Sequence, residues 1–264
     1  MIHFLSRAGA ASIRTMDTKP VFPITPPPFS GRSQRAEAGA CFEWLRQAWA
    51  FFAAYPAVWV GATVLVFVAY FAVAVVPLVG TLAANLLMPA LSAGLLMFCK
   101  RQANGEEPGL GDLLVGFQGR AASGLILVGA IYGVAMLIIG VIAGLIVGGG
   151  VLGGVMATPS LALGVMFGGL IVSLLISAVL ATPVLMALWF APALVLFHDM
   201  PPIDAMKASF NACAINWLPL SVYGLLLSVL IFFAILPVGL GLLVLIPILY
   251  GTLYASYRDI FPES

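Results

Sequence analysis

From residue 121 to residue 198 the chain runs for 78 positions without one Lys, Arg, Asp or Glu. A water-soluble domain of ordinary composition carries about 25% charged residues, and this chain carries 8%, with 62% hydrophobic residues and a mean hydropathy of +1.14. Too few polar side chains remain to clothe a surface in water. Apolar stretches of eighteen or more residues recur along it, and each is long enough to cross a hydrocarbon layer about 30 Å thick as a helix. A transmembrane barrel needs segments of about ten residues that alternate polar and apolar side chains. Runs such as "LILVGAIYGVAMLIIGVIAGLIV" do not alternate, so the expected fold class is an all-α polytopic membrane protein.

Residues 1–40 differ in kind. They hold Arg7, Arg14, Lys19, Arg32 and Arg35 and the proline-rich "PVFPITPPPF", which favours extended polyproline geometry over a packed structure. A disordered cytoplasmic tail is expected over 1–40 and a membrane domain over 41–261. The acid-free stretch before Asp17 faintly resembles an organelle transit peptide, whereas translation from Met16 explains it more simply.

Six spans are expected, at about 58–79, 81–99, 123–147, 162–197, 218–236 and 239–257. Lys and Arg fall on the cytoplasmic side of membrane proteins. Six of the eleven lie at or before Arg46, three between the second and third spans (Lys100, Arg101, Arg120), and Lys207 and Arg258 follow the fourth and sixth. None lies in the three opposite turns, so both termini are expected in the cytoplasm. Residues 121–197 have room for three short spans instead of two, which would give seven crossings and place Lys207 and Arg258 on opposite sides. Cys41, Cys99 and Cys213 form no CxxC pair and read as free thiols on the reducing side.

Three short segments, "EWLRQAW", "DLLVGF" and "DAMKASF", each precede a pair of spans and place an acid five or six residues before an aromatic. In the first, Phe42, Leu45, Trp49 and Phe52 form an apolar row; in the third, Met206, Phe210, Cys213 and Trp217 do so at helical spacing. Such helices suit the plane of the interface. "MPALSAGLLMFCK" and "IPILYGTLYASYR" each place a basic residue eleven after the proline. The expected architecture is three hairpins of spans, each preceded by a short amphipathic helix on the cytoplasmic face.

The segments "EWLRQAWAFFAAYPAVW", "WFAPALVLFHDMPPIDAMKASFNACAINWLP" and "LYASYRDIF" resemble an uncharacterised group of proteobacterial inner-membrane proteins. More distantly the chain is similar to YciC-like inner-membrane proteins and to the membrane domain beside some glycerophosphodiester phosphodiesterases. The resemblance covers residues 40–261 and implies six spans in a bacterial inner membrane. It implies no catalytic residue, and the soluble phosphodiesterase domain is absent.

Candidate chemistry is sparse. His198 and Asp199 are an acid/base or metal pair by residue type, although a metal site needs three or four converging ligands. The plainer reading is a chain leaving the membrane ahead of a helix started by Pro201 and Pro202, whose first turn favours Asp204. Asp204 and Lys207 have the spacing of a surface ion pair. Arg46, Arg120, Lys207 and Arg258 are the candidates for anionic headgroups, with Trp44, Trp49, Trp59, Trp217 and Tyr257 as an interfacial aromatic belt. Within the spans no ionisable group occurs, and Asn85, Thr63, Thr182 and Ser177 are the strongest polar candidates; Pro183 and Pro192 interrupt the fourth segment, as discontinuous helices at transport sites do. Gly129/Gly133, Gly140/Gly144 and Gly164/Gly168 permit close helix contacts, within the fold or with a second copy. No nucleotide, metallohydrolase or nucleophile-triad motif occurs. The expected function is a non-enzymatic membrane protein that organises lipids or protein partners without metal, cofactor or nucleic acid; the alternative is a carrier or channel for a small solute or lipid through the interrupted segment.

Overall fold

The computed structural model describes Phe29, residues 31–76 and residues 79–262; most of the expected tail and part of the first inter-span turn lie outside these. The described residues are helical and contain no strand. In order they form α1 (Ala40–Ala54), α2 (Pro56–Ala74), α3 (Val79–Ala103), a 3₁₀ helix (Leu110–Phe117), α4 (Ala121–Met156), α5 (Pro159–Trp189), α6 (Ala191–His198), α7 (Pro202–Ile215), α8 (Trp217–Ile235) and α9 (Leu242–Ile260). Five helical stretches are long and apolar enough to cross a membrane: α2, Ala83–Ala103 of α3, α4, the continuous Pro159–His198 segment and α8. α9 is long enough, but Arg258 and Asp259 lie in its last turn and its C-terminal half, Gly251 to Tyr257, is buried. Packing against protein relaxes the demand that lipid places on a side chain.

The order short, long, long occurs three times, and the short helices pack in one consistent way. α1 lies against α9, the 3₁₀ helix against α3, and α7 against α5 and α6. Each short helix therefore covers the second long helix of the preceding triplet, and the first covers that of the last, so the contacts close in a ring. Close approach is needed for this. A Cβ on Gly251 would stand 2.8 Å from Ala48, where α9 meets α1, and a Cβ on Gly116 would run into the Ala90 carbonyl, where the 3₁₀ helix meets α3.

The glycine-rich "GGGVLGGVM" expected as a turn is helical to Met156, and only Ala157 and Thr158 separate α4 from α5. At 36 residues α4 is about 54 Å long at 1.5 Å per residue, well beyond the ~30 Å of hydrocarbon. α4 and α5 meet backbone to backbone where a Cβ on Gly150 would stand 2.9 Å from Gly169 Cα. Gly129 packs on Asn85 and Leu86 of α3, while Gly140, Gly144, Gly164 and Gly168 face open space.

In α1 the buried row is Cys41, Trp44, Ala48 and Phe52, and in α7 it is Ala205, Ser209, Ala212 and Cys213. Small residues face the protein in α7, and in α1 Trp44 and Phe52 join them, while Phe42, Trp49 and Phe210 from the expected apolar rows stay outside. Two members of the expected aromatic belt are core instead: Trp44 donates Nε1–H to Asp259 Oδ2 at 3.0 Å, and Trp59 donates to the Phe51 carbonyl at 3.2 Å. Tyr257 is buried as well, whereas Trp49 and Trp217 remain exposed.

Gly116→Ala is expected to cost about 1–3 kcal/mol, because the added methyl has no room and the 3₁₀ helix must lift off α3. Gly140→Ala, a change of the same chemistry into open space, should leave stability unchanged or slightly improved. Thermal unfolding of the two variants in detergent micelles measures the contrast.

Candidate functional site

The fourth apolar segment breaks at Phe190, between α5 and α6, and α7 supplies what the break removes. In a regular helix the Phe190 N–H would bond the Met186 carbonyl. Instead Phe190 N–H donates to Ser209 Oγ at 2.9 Å, and the Ser209 hydroxyl donates to Met186 O at 2.7 Å. The buried hydroxyl is inserted into the helical ladder, a recognised cause of a helix kink. Pro192 stands in the first turn of α6, where a missing N–H costs nothing. Pro183 lies inside α5 without ending it. The Cys213 thiol also reaches Met186 O, at 3.5 Å, and burial pushes its pKa up to about 12, so it stays protonated at neutral pH.

The break opens one wall of a cavity of about 290 Å³ between α3, α4, the α5–α6 joint and α9. Asn85 and Pro192, 107 positions apart in sequence, line it together, with Ser92, Tyr132, Trp189 and Tyr250. Pro183 does not line it. The Ser92 and Tyr250 hydroxyls bond each other at 2.9 Å. A second, more apolar groove of about 370 Å³ lies between α5, α7 and α8, lined by Thr182, Met186, Cys213 and Tyr223, with Trp189 shared between the two.

The structure gives His198 and Asp199 different settings. The His198 ring bonds the Tyr257 hydroxyl through Nε2, and Asp199 caps α6 in the left-handed region at φ 49°, exposed. Among the described residues no group of three His, Cys, Asp or Glu is close enough to hold a metal ion. Phe197, beside His198, lies under the Lys100 ammonium at 4.6 Å and against Tyr254 and Tyr257, so this polar exit is stitched into an aromatic cluster on α9.

The four headgroup candidates sit on different elements. Arg46 forms a two-pronged ion pair with Glu43 at 2.7 and 2.8 Å, and Gln47 adds a third hydrogen bond. The Arg46 guanidinium and the Gln47 amide together hold the Glu43 carboxyl at about 2, well below the usual range. Lys207 meets Asp204 at 3.7 Å with both side chains largely exposed. Arg258 lines an open cleft with Arg35, Glu37, Glu43 and Asp259, and Arg120 is exposed ahead of α4.

Two structural polar residues have no role in the sequence reading. Ser209 belongs to the small-residue row Ala205, Ser209, Ala212, and that row was its available signal. Asn216, fully buried, accepts from Ala36 N–H at 2.7 Å and donates to the Gln34 and Ala212 carbonyls, tying residues 34–36 to the α7–α8 joint. The Gln34 amides in turn donate to the Asp259 and Ile260 carbonyls at the open end of α9.

The chain is 30% identical over 243 residues to a protein of Burkholderia thailandensis described as a probable inner membrane protein; the match spans 83% of this chain and 90% of that one. No family model and no solved structure matches.

Ser209→Ala is expected to destabilise the protein by about 1–3 kcal/mol, because it leaves a buried amide and carbonyl apart without a bridge. Thr182→Ala, whose exposed hydroxyl only bonds its own helix at Ala178 O, is the neutral control; unfolding in detergent compares them. The Glu43 carboxylate should stay ionised as pH falls through the ordinary carboxylate range and protonate only near pH 2. Because its folded value is depressed, the pairing favours the fold above the unfolded pKa and is lost as pH drops toward 2. Arg46→Ala should return the midpoint toward the ordinary value, as read from the carboxyl carbon shift of labelled Glu43.

Proposed function

The chain belongs to the family of the Burkholderia thailandensis probable inner membrane protein, and from that premise we propose that this integral inner-membrane protein is a non-enzymatic organiser of lipids in the cytoplasmic leaflet. In this reading α2, α3, α4, the α5–α6 segment, α8 and α9 make six crossings. Both termini are cytoplasmic, and α1, the 3₁₀ helix and α7 lie in the interface. The likeness to the YciC-like proteins and to the phosphodiesterase membrane domain belongs to the same reading.

One observation carries it. All three short helices turn bulky apolar side chains outward on the face opposite their protein contacts: Phe42 at 61% and Trp49 at 55% exposed on α1, Leu110 and Leu114 on the 3₁₀ helix, Ile203 and Phe210 on α7. Burying such a side chain in acyl chains is worth about 1.5–3 kcal/mol, so three helices in a ring grip one leaflet. Arg46, Arg120, Lys207 and Arg258 stand beside them at the level of anionic headgroups, each worth about 1 kcal/mol there. Membrane lipids are the partners of this reading; a second copy, or another membrane protein, fits the open glycine row of α4. A carrier is the second reading, favoured by the meeting of Asn85 and Pro192 at one cavity.

Single-tryptophan variants in vesicles test the in-plane helices. Trp49 alone is expected to be quenched strongly by lipids brominated near the headgroup, and Trp59 alone weakly; equal quenching of both would remove the interfacial placement. Cysteines introduced into "PLVGTL", "GGGVLGG" and "PVGLG" should react with an impermeant maleimide from the periplasmic side, and reaction of any of them from the cytoplasm breaks the six-crossing arrangement. Saturable solute flux in proteoliposomes that Asn85→Ala abolishes would replace the organiser with the carrier.

A further inference from the structure

We propose that the open cleft between residues 35–37, α1 and the end of α9 binds a phosphoethanolamine diester, with its phosphate on Arg35 and Arg258 and its ammonium on Glu37 and Asp259. This rests on the interfacial reading only for the source, a membrane lipid; the chemistry rests on the cleft alone.

The cleft measures about 640 Å³, within the range of ligand sites. Two guanidinium groups line it, and among the described residues neither Arg35 nor Arg258 makes an ion pair or a side-chain hydrogen bond. The planar fork of a guanidinium matches the oxygens of a phosphate. One wall is fixed before any ligand arrives. Arg35 and Glu37 flank Ala36, whose N–H is held by the buried Asn216 at 2.7 Å, and Gln34 is tied by two hydrogen bonds to the end of α9, where Arg258 stands. Such preorganisation lowers the ordering that binding requires.

The balance of charge in the lining sets the class of ligand. Glu43 is already matched by Arg46. The cations Arg35 and Arg258 remain, with the anions Glu37 and Asp259, and Asp259 is met only by the neutral indole of Trp44. A ligand of one sign would be attracted by one pair and repelled by the other, whereas a zwitterion complements both. The ammonium should carry hydrogens. A primary ammonium has three N–H donors for carboxylates, while a quaternary one is recognised by open aromatic faces, and Trp44, the aromatic side chain of this lining, is buried. A lipid is the source that fits the surroundings, because α1 carries Glu43 and Gln47 in the cleft and the exposed apolar Phe42 and Trp49 outside it. One short helix can thus meet both headgroup and acyl chains. A free glycerophosphoethanolamine shares the headgroup chemistry without the chains.

The full-length protein is placed in nanodiscs holding equal amounts of phosphatidylethanolamine, phosphatidylglycerol and phosphatidylcholine with the same acyl chains, and retained lipids are counted by native mass spectrometry. The expected result is one phosphatidylethanolamine kept per chain ahead of the other two. Arg35→Gln and Arg258→Gln should each weaken its retention about tenfold, the effect of one charge-assisted hydrogen bond. Glu37→Gln should move the preference toward phosphatidylglycerol, because an anion has gone. Arg32→Gln removes the same charge outside the lining and should change nothing. All four side chains are exposed, so these variants leave the core intact. Glycerophosphoethanolamine titrated calorimetrically onto the protein in detergent is the soluble arm, and saturable binding there without lipid selectivity assigns the cleft to a free phosphodiester. Equal retention of the three lipids with no binding of the soluble diester overturns the proposal, as does binding that both arginine variants retain in full. Equal quenching of Trp49 and Trp59 would remove the interfacial placement alone, and the soluble arm then decides the cleft.

Discussion

Every backbone N–H and C=O within the hydrocarbon must find its partner inside the protein, and the fourth apolar segment is where this chain comes closest to failing that demand. The helix breaks at Phe190, and one hydroxyl, Ser209 Oγ, accepts from the loose amide and donates to the loose carbonyl. That hydroxyl arrives on α7, a helix that otherwise offers only small side chains to this contact. The break, the docking of α7 and the wall of the central cavity are thus one arrangement. If α7 moved away, the kink would have to straighten or expose two polar groups.

The same economy explains where charge sits. Among the described residues the ion pairs sit at the ends of helices and on the short helices: Arg46 with Glu43, Arg101 with Glu106 and Asp112, and Lys207 with Asp204. Arg101 has a structural part. Its partner Asp112, nearly buried, also accepts from Gly109 N–H at 2.9 Å and fixes the start of the 3₁₀ helix. The middle repeat lacks a basic residue three after its acid because the cation comes from the preceding helix. Arg101 and Asp112 stand eleven apart, a spacing that no helix pattern reveals.

The all-helical membrane class is legible in the sequence because it rests on local signals: hydropathy, proline and the placement of charge. The convergence of Asn85 with Pro192 is not, because it depends on how α3 meets a kinked helix a hundred residues later. Trp44, Trp59 and Tyr257 were misread for a related reason. Composition identifies an amphipathic aromatic side chain, but only packing decides whether its polar atom meets water or a partner such as Asp259. His198 and Asp199 have different settings, the imidazole on the Tyr257 hydroxyl and Asp199 in the left-handed turn that caps α6, and their adjacency in sequence does not reveal either one.

The ring of contacts gives the cavity its place. In each triplet the second long helix carries a proline, Pro89 in α3, Pro183 and Pro192 in the α5–α6 segment and Pro247 in α9, and those three helices, with α4, line the cavity. If the triplets descend from one ancestral unit, a three-unit ring leaves a central space wherever its kinked helices fail to fill the middle. Repetition accounts for the space but not for its lining, since Asn85, Trp189 and Tyr250 are different residue types on equivalent elements. Two of its polar groups, the Ser92 and Tyr250 hydroxyls, bond each other across the α3–α9 contact, so part of the polarity of this lining serves to join the kinked helices.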